Sequence, residues 1–227
     1  MSAEQPVARP KPVDDPTPAR KQQQRSIVTQ QKLLDAAIGA FSENGFKGTS
    51  TRDIAERAGV HHPLITYHFK NKDQLWRAAA DRIFREFNIS LVKAMAEVPE
   101  RNPKARAKAF VRTYVHYAHD QPALHKIILQ ESSNSTERLE WLIDTHLKPL
   151  YDLVAEPLTR LQDLGVAPAG NPALLYNMIR VTAGGLLALA LEIKGTTNVD
   201  LEDESRRDEL AEMIIRVFFP GDLPARD

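Results

Sequence analysis

Residues 50–72 read STRDIAERAGVHHPLITYHFKNK, and this stretch decides the architecture. Ser50 followed three residues later by Asp53 is a capping-box-like start for a helix. Ile54, Ala55 and Ala58 then fall at helical spacing, and Gly59 supplies the left-handed residue that ends it. His62-Pro63 restarts the chain as helix, with proline at the first position, where no backbone donor is needed. Leu64, Ile65, Tyr67, His68 and Phe69 make about two turns. Asn71 can cap a third helix, with Gln74 at its N3 position. Two short helices joined by a tight glycine turn predict a helix-turn-helix, whose second helix enters a DNA major groove.

The side chains around that turn suit the task. Base edges are read by donors and acceptors projecting from a helix N-terminus, and phosphates by hydroxyls, amides and cations. Ser50, Thr51 and Arg52 open the first helix, where orphan backbone N–H groups also favour a phosphate. His61, His62, Pro63, Leu64 and Thr66 project from the start of the second, while Ile65 and Phe69 face the opposite way and are expected to be core.

Working outward, LLDAAIGAFSENGFKGTSTRDIAERAGV over residues 33–60 and YHFKNKDQL over residues 67–75 resemble the DNA-binding head of the TetR family of one-component transcriptional regulators. The resemblance is specific in order, spacing and residue type, and it covers about a fifth of the chain. It implies that Thr51, Tyr67, His68 and Lys72 hold the DNA backbone, while Arg52, His62, Pro63 and Leu64 approach bases. There is a departure. Many family members carry tyrosine at the position of Thr66, so this chain keeps only Tyr67 of an aromatic pair. Leu64 stands where a polar residue is common, which favours contact with a thymine methyl.

The 227 residues suffice for a sizeable core, and 42% apolar with 26% charged residues is ordinary for a soluble globular protein. Net charge is zero, but its distribution is uneven. Residues 1–72 hold 11 Lys/Arg against 7 Asp/Glu, and the remainder 19 against 23, the shape of a DNA-binding head on an acidic body. With no cysteine there is no disulfide framework, zinc finger or thiol switch. The start of the chain has no apolar segment of secretory type, and the longest apolar run, residues 181–191, is too short to span a bilayer. A cytoplasmic location is expected.

Residues 1–24 are rich in Pro, Gln, Arg and Lys and are expected to form a disordered basic arm, in which Arg20 and Lys21, with Arg25 just after, make a cluster. The first helix is expected from about Ser26 to Asn44, with Leu34, Ala37, Ile38 and Phe41 as its stripe and Phe46 folding back after Gly45. A long helix follows from Asn71, about 40 Å in length, and joins head to body. The expected domains are therefore a head over residues 25–87 and a helical effector-binding and dimerisation body over residues 88–227. Within the body, Pro149 is expected to kink a helix and Pro157 to begin another. A helix from Asn171-Pro172 to about Lys194 is apolar on nearly every side and expected to be buried. The last helix carries the stripe Leu210, Met213, Ile214, Val217 and Phe218.

The fold expected is thus all-α, an N-terminal three-helix head on a helical body, with no catalytic constellation, cofactor fingerprint or metal set. His116 and His119 share a helix face, but a histidine pair at i, i+3 without a carboxylate partner at ligand spacing is not assigned a metal. Tyr114, Tyr117, Trp141 and His146 are the candidates for a pocket taking a small organic effector. The final two helices are expected to hold a two-fold dimer, with Gly184 and Gly185 at a close crossing and Leu210, Met213, Ile214 and Val217 in the interface. The function expected is a sequence-specific transcriptional regulator, a repressor released by a small-molecule effector from a near-palindromic operator. The alternatives are a small-molecule carrier or enzyme with a helical body, or an architectural DNA-binding protein.

Overall fold

The computed structural model describes residues 18–221, and every regular element among them is helical. The chain opens with α1 (Pro18–Gly48), α2 (Thr51–Ala58) and α3 (Pro63–Phe69). Most of the expected arm, residues 1–17, lies outside the described residues. Residues 18–24 are helix rather than disordered arm, because Pro18 sits at a helix start and the residues after it include no further breaker. Gly45 has φ +69° and breaks the regular geometry of α1, and the Phe46 ring then stacks on Phe41 at 6.0 Å.

The buried face of α1 differs from the expected stripe. Leu33, Ala36, Ala37, Ala40 and Phe41 are buried, whereas Leu34 and Ile38 are only partly covered. The reason is that α1 is packed by α2 and α4 and also by α6 of the body.

α4 (Lys72–Ala96) begins at an Asn71 cap whose Oδ1 accepts from Gln74 N at 2.8 Å. It runs unbroken through Trp76, Ile83, Phe84, Phe87 and Leu91, all buried, and packs against α1, α5 and α6. α5 (Pro103–Asp120), α6 (Ala123–Ser132) and α7 (Glu137–Leu142) follow. The cap of α7 is Thr136, whose hydroxyl accepts from Leu139 N at 3.1 Å.

A π-helical turn, Ile143–Leu147, joins α7 to α8 (Lys148–Asp163). Pro149 has no N–H to offer the preceding turn, and its ring crowds the carbonyl four residues back, so the helix widens there. Pro157, expected to begin a segment, instead lies inside α8.

The apolar stretch after Asn171 is not one helix. It is α9 (Pro172–Arg180), a π-helical turn Val181–Gly185, α10 (Leu186–Ala188) and α11 (Ala190–Thr197), with a 73° bend at Leu189. Nor is it wholly buried: Leu174 is 66% exposed, Met178 57% and Val181 51%. α12 (Glu204–Phe218) packs on α5 and on the Val181–Gly185 turn. No single helix among the described residues is long and apolar enough to cross a membrane.

Candidate nucleic-acid interface and body cavity

At the start of α2, Ser50 Oγ accepts from Asp53 N at 3.1 Å and Asp53 Oδ2 accepts from Ser50 N at 3.2 Å, so the capping box is complete. Gly59 closes α2 in the left-handed conformation, φ +65° and ψ +36°. On the far side of the turn, Ile65 and Phe69 are buried and pin α3 to the head. The opposite side of α3 is bare. His61, His62, Pro63, Thr66 and Tyr67 are exposed, Tyr67 to 75%, and Leu64 and His68 are half-buried.

These groups are arranged, not scattered. Thr51 Oγ1 lies 3.0 Å from His62 Nε2, which links the first residue of α2 to the residue before α3. His68 meets Tyr67 edge-on at 4.9 Å, and burial holds its imidazole below the ordinary histidine range. Arg52 is exposed beside Thr51. Lys72 sits 4.4 Å from the centre of the Phe46 ring, and burial, with Arg138 nearby, lowers its ammonium pKa. α2 is fixed to α1 by paired contacts of 2.7 Å between Arg57 and Glu43.

The head is fastened to the body through α6 and α7. Gln130 Nε2 donates to Ser42 O at 3.0 Å. Arg138 lies over the Phe46 ring at 3.7 Å and donates through Nε to the buried carboxylate of Glu131 at 3.2 Å.

Of the expected effector residues, His146 borders an open hollow of about 550 Å³ beside α4, with Arg85, Ile89 and Val92, while the other three are engaged in packing. Tyr114 is buried with its hydroxyl 3.1 Å from His125 Nε2, and Tyr117 donates to Ile83 O at 2.8 Å, so both belong to the α4–α5 core. Trp141 packs edge-on to Trp76 at 5.8 Å. His146 stacks flat on Phe84 at 4.4 Å and pairs with Asp81 at 2.8 Å. None of the four lines the cavity of about 310 Å³ that opens in the body. That cavity is walled by Leu91 and Met95 of α4, Phe110 of α5, Leu158 of α8, Ile179 of α9 and Phe219 after α12, with Tyr176 in its lining. These residues come from elements far apart in the chain, so no local spacing in the sequence announces them.

The expected dimer residues divide in two. Gly184, Gly185 and Ile214 are buried in this chain's own core, and a Cβ on Gly184 would meet the His125 ring at 1.9 Å. The glycine accommodates that ring, not a second chain. Leu210 is half-buried, packed within the body. Met213 and Val217 are exposed to 50% and 64%, one helical turn apart, and join Leu174, Met178 and Val181 among the large apolar side chains left uncovered. His116 and His119 have separate partners, Asp208 at 2.8 Å and the carbonyl of Glu202 at 3.0 Å.

Residues 33–79 match the family model for bacterial regulatory proteins of the tetR family. The HTH-type transcriptional regulator RutR of Escherichia coli strain K12 is 26% identical over 201 residues, which is 88% of this chain and 93% of RutR. Among solved structures, HlyIIR, a hemolysin II transcriptional regulator, superposes with a TM-score of 0.62 at 20% identity, covering 86% of this chain and 98% of the other. AibR, solved in complex with isovaleryl coenzyme A and operator DNA, gives a TM-score of 0.64 at 19% identity, covering 86% and 100%. At these identities the structural likeness is one of fold.

Proposed function

We propose that this chain, a member of the tetR family of bacterial regulatory proteins, is a transcriptional regulator that holds operator DNA through α3 and releases it when a small organic effector fills the body. The observation that carries the proposal is α3 itself. A seven-residue helix buries only Ile65 and Phe69 and leaves its other side to solvent, with Thr51, Arg52, His62 and Lys72 around it. An exposed, histidine- and hydroxyl-bearing helix start on a rigid head is what reading a major groove requires. Ser50, Thr51, Tyr67, His68 and Lys72 are assigned to phosphates; Arg52, His61, His62, Pro63, Leu64 and Thr66 lie where bases are met.

The head spans residues 25–87 and the body residues 88–227, with the boundary inside α4. A tilt of that single helix moves the head relative to the body cavity. Leu91 and Met95 of α4 line the cavity, so an effector bound there would lie against that helix. AibR, caught with both a coenzyme A thioester and operator DNA, supports the pairing of the two sites.

Two copies associate through the uncovered faces of α9 and α12. Leu174, Met178 and Val181 recur at i, i+4 and i+7 and are exposed, as are Met213 and Val217 on α12, which packs on the Val181–Gly185 turn; these are the apolar side chains that a two-fold axis can bury. The two α3 helices then address half-sites about one DNA turn, or a simple multiple, apart. Sequencing of DNA fragments that co-purify with the tagged protein tests the whole. A near-palindromic consensus is expected; uniform recovery of fragments irrespective of sequence would make the protein an architectural binder instead.

A further inference from the structure

The lining of the body narrows the chemistry of the effector, and this inference rests on the body being an effector domain. Tyr176 belongs to two walls. One is that of the 310 Å³ cavity, whose sides are mostly apolar and whose charged members, Glu100, Arg106, Glu156 and Arg160, cancel. The other is that of an adjoining cavity of about 370 Å³, in which Lys148 and Arg180 are the charged members and no carboxylate takes part. Lys148 is already paired with Asp152 at 3.0 Å. Arg180 is turned toward the Asn177 amide oxygen at 3.2 Å and has no carboxylate partner among the described residues. Its charge reaches inward as well, to the buried Tyr114 phenol and the His125 imidazole.

Between the two cavities the polar groups are not all satisfied. Tyr176 is 6% exposed and its hydroxyl has no hydrogen-bond partner. Nearby, His125 is 2% exposed, shares a hydrogen bond between its Nε2 and the Tyr114 hydroxyl, and leaves Nδ1 without a partner. Burial pushes the Tyr176 phenol up to about 12, against the pull of Arg180, so it remains a donor at neutral pH. A buried donor left without an acceptor is costly, and native structures seldom tolerate it unless a ligand or water completes it.

The geometry points to an amphipathic monocarboxylate as the occupant, with its apolar body in the 310 Å³ cavity and its carboxylate at the Tyr176 hydroxyl and the Arg180 guanidinium. A carboxylate supplies acceptors to both donors at once, and the cationic one makes the hydrogen bond charge-assisted. An amine would meet Arg180 as a like charge. A neutral ester would satisfy Tyr176 and leave the guanidinium without a counter-charge.

Calorimetric titration of the full-length protein with decanoate, methyl decanoate and decylamine tests this. Decanoate is expected to bind at least tenfold more tightly than either of the others. Tyr176→Phe and Arg180→Met, each shown to be folded by circular dichroism, should each weaken decanoate by tenfold or more; with two variants, misfolding of one leaves the other decisive. Equal binding of the three probes, or decanoate binding unaltered in a folded variant, overturns the anionic head. So does the absence of decanoate binding to the wild type. Operator affinity is measured separately. If decylamine or the ester binds and releases the operator while decanoate does not, the head-group inference fails and the effector domain stands. If no operator is found, the regulator assignment fails independently of the calorimetry.

Discussion

Thr51 Oγ1 and His62 Nε2 lie 3.0 Å apart across the turn of the reading head. His62 already has helical backbone angles, φ −49° and ψ −41°, and its side chain makes no capping bond to α3. Its imidazole instead reaches back to the first residue of α2. Whichever of the two donates, the bond holds the ring in one orientation at the start of α3, and it ties the donor or acceptor character of Nδ1 to that of Nε2. In the proposed interface, Thr51 thereby acts on base choice without touching a base.

Thr51→Val should therefore relax operator preference at the position His62 approaches, and weaken binding by about 1 kcal/mol, the worth of one hydrogen bond. Thr51→Ser should keep both. Selection from a randomised operator library reads preference directly. If the valine and serine variants select the same sequences as wild type, the bond has no part in recognition.

Tyr67 and Lys72 differ in what else they do. Tyr67 is 75% exposed and its ring meets that of His68 edge-on, so Tyr67→Ala should leave stability within about 0.5 kcal/mol while lowering affinity for every sequence alike. Lys72 stacks on Phe46, so Lys72→Ala should cost about 0.5–1 kcal/mol of stability as well as reduce the salt slope of binding by about one unit. Fluorescence anisotropy across a salt series, beside urea denaturation, separates the two. Wild-type affinity in folded Tyr67→Ala would remove Tyr67 from the phosphate contacts.

Met178→Asp combined with Val217→Asp should leave a folded monomer with little operator affinity. Both side chains are more than half exposed, so the substitutions spare the core, yet each would place a charge in the middle of the apolar face. Light scattering decides. A wild type that is monomeric at micromolar concentration, or a double variant that still dimerises, rules out this face.

His125 makes the body sensitive to acid. Burial depresses its folded pKa to about 4, with Arg180 adding to the effect, against about 6.5 in an unfolded chain. Below the unfolded value the unfolded state binds the extra proton, so this contribution is fully present above pH ~6.5 and is lost as pH falls toward 4. The loss is on the order of 3 kcal/mol. The difference in denaturation free energy between wild type and His125→Gln, followed from about pH 7 to 4, should show that slope; a flat difference contradicts it. Gly184→Ala tests the same contact sterically, since its Cβ would stand 1.9 Å from the ring, and should cost about 1–3 kcal/mol.

What the sequence determined is what the backbone settles over three or four residues. The Ser50–Asp53 capping box, the left-handed Gly59, the Asn71 cap and the inward facing of Ile65 and Phe69 are all short-range matters, because a helix end is satisfied by its own next turn. The turn and the caps of the head are accordingly legible residue by residue, whereas the buried face of α1 is not, because α6 of the body packs on it as well. The body is legible as helices but not as faces. By spacing alone Tyr114 and Tyr117 suit a pocket as well as a core, and only the packing of α5 on α4 puts them in the core. Gly184 suits a second chain as well as its own, and the His125 ring against it decides for its own. The cavity, the buried Tyr176 in its lining and the uncovered sides of α9 and α12 depend on which distant helices cover which side, and a helical repeat is the same whether its apolar stripe meets its own chain, a ligand or another copy.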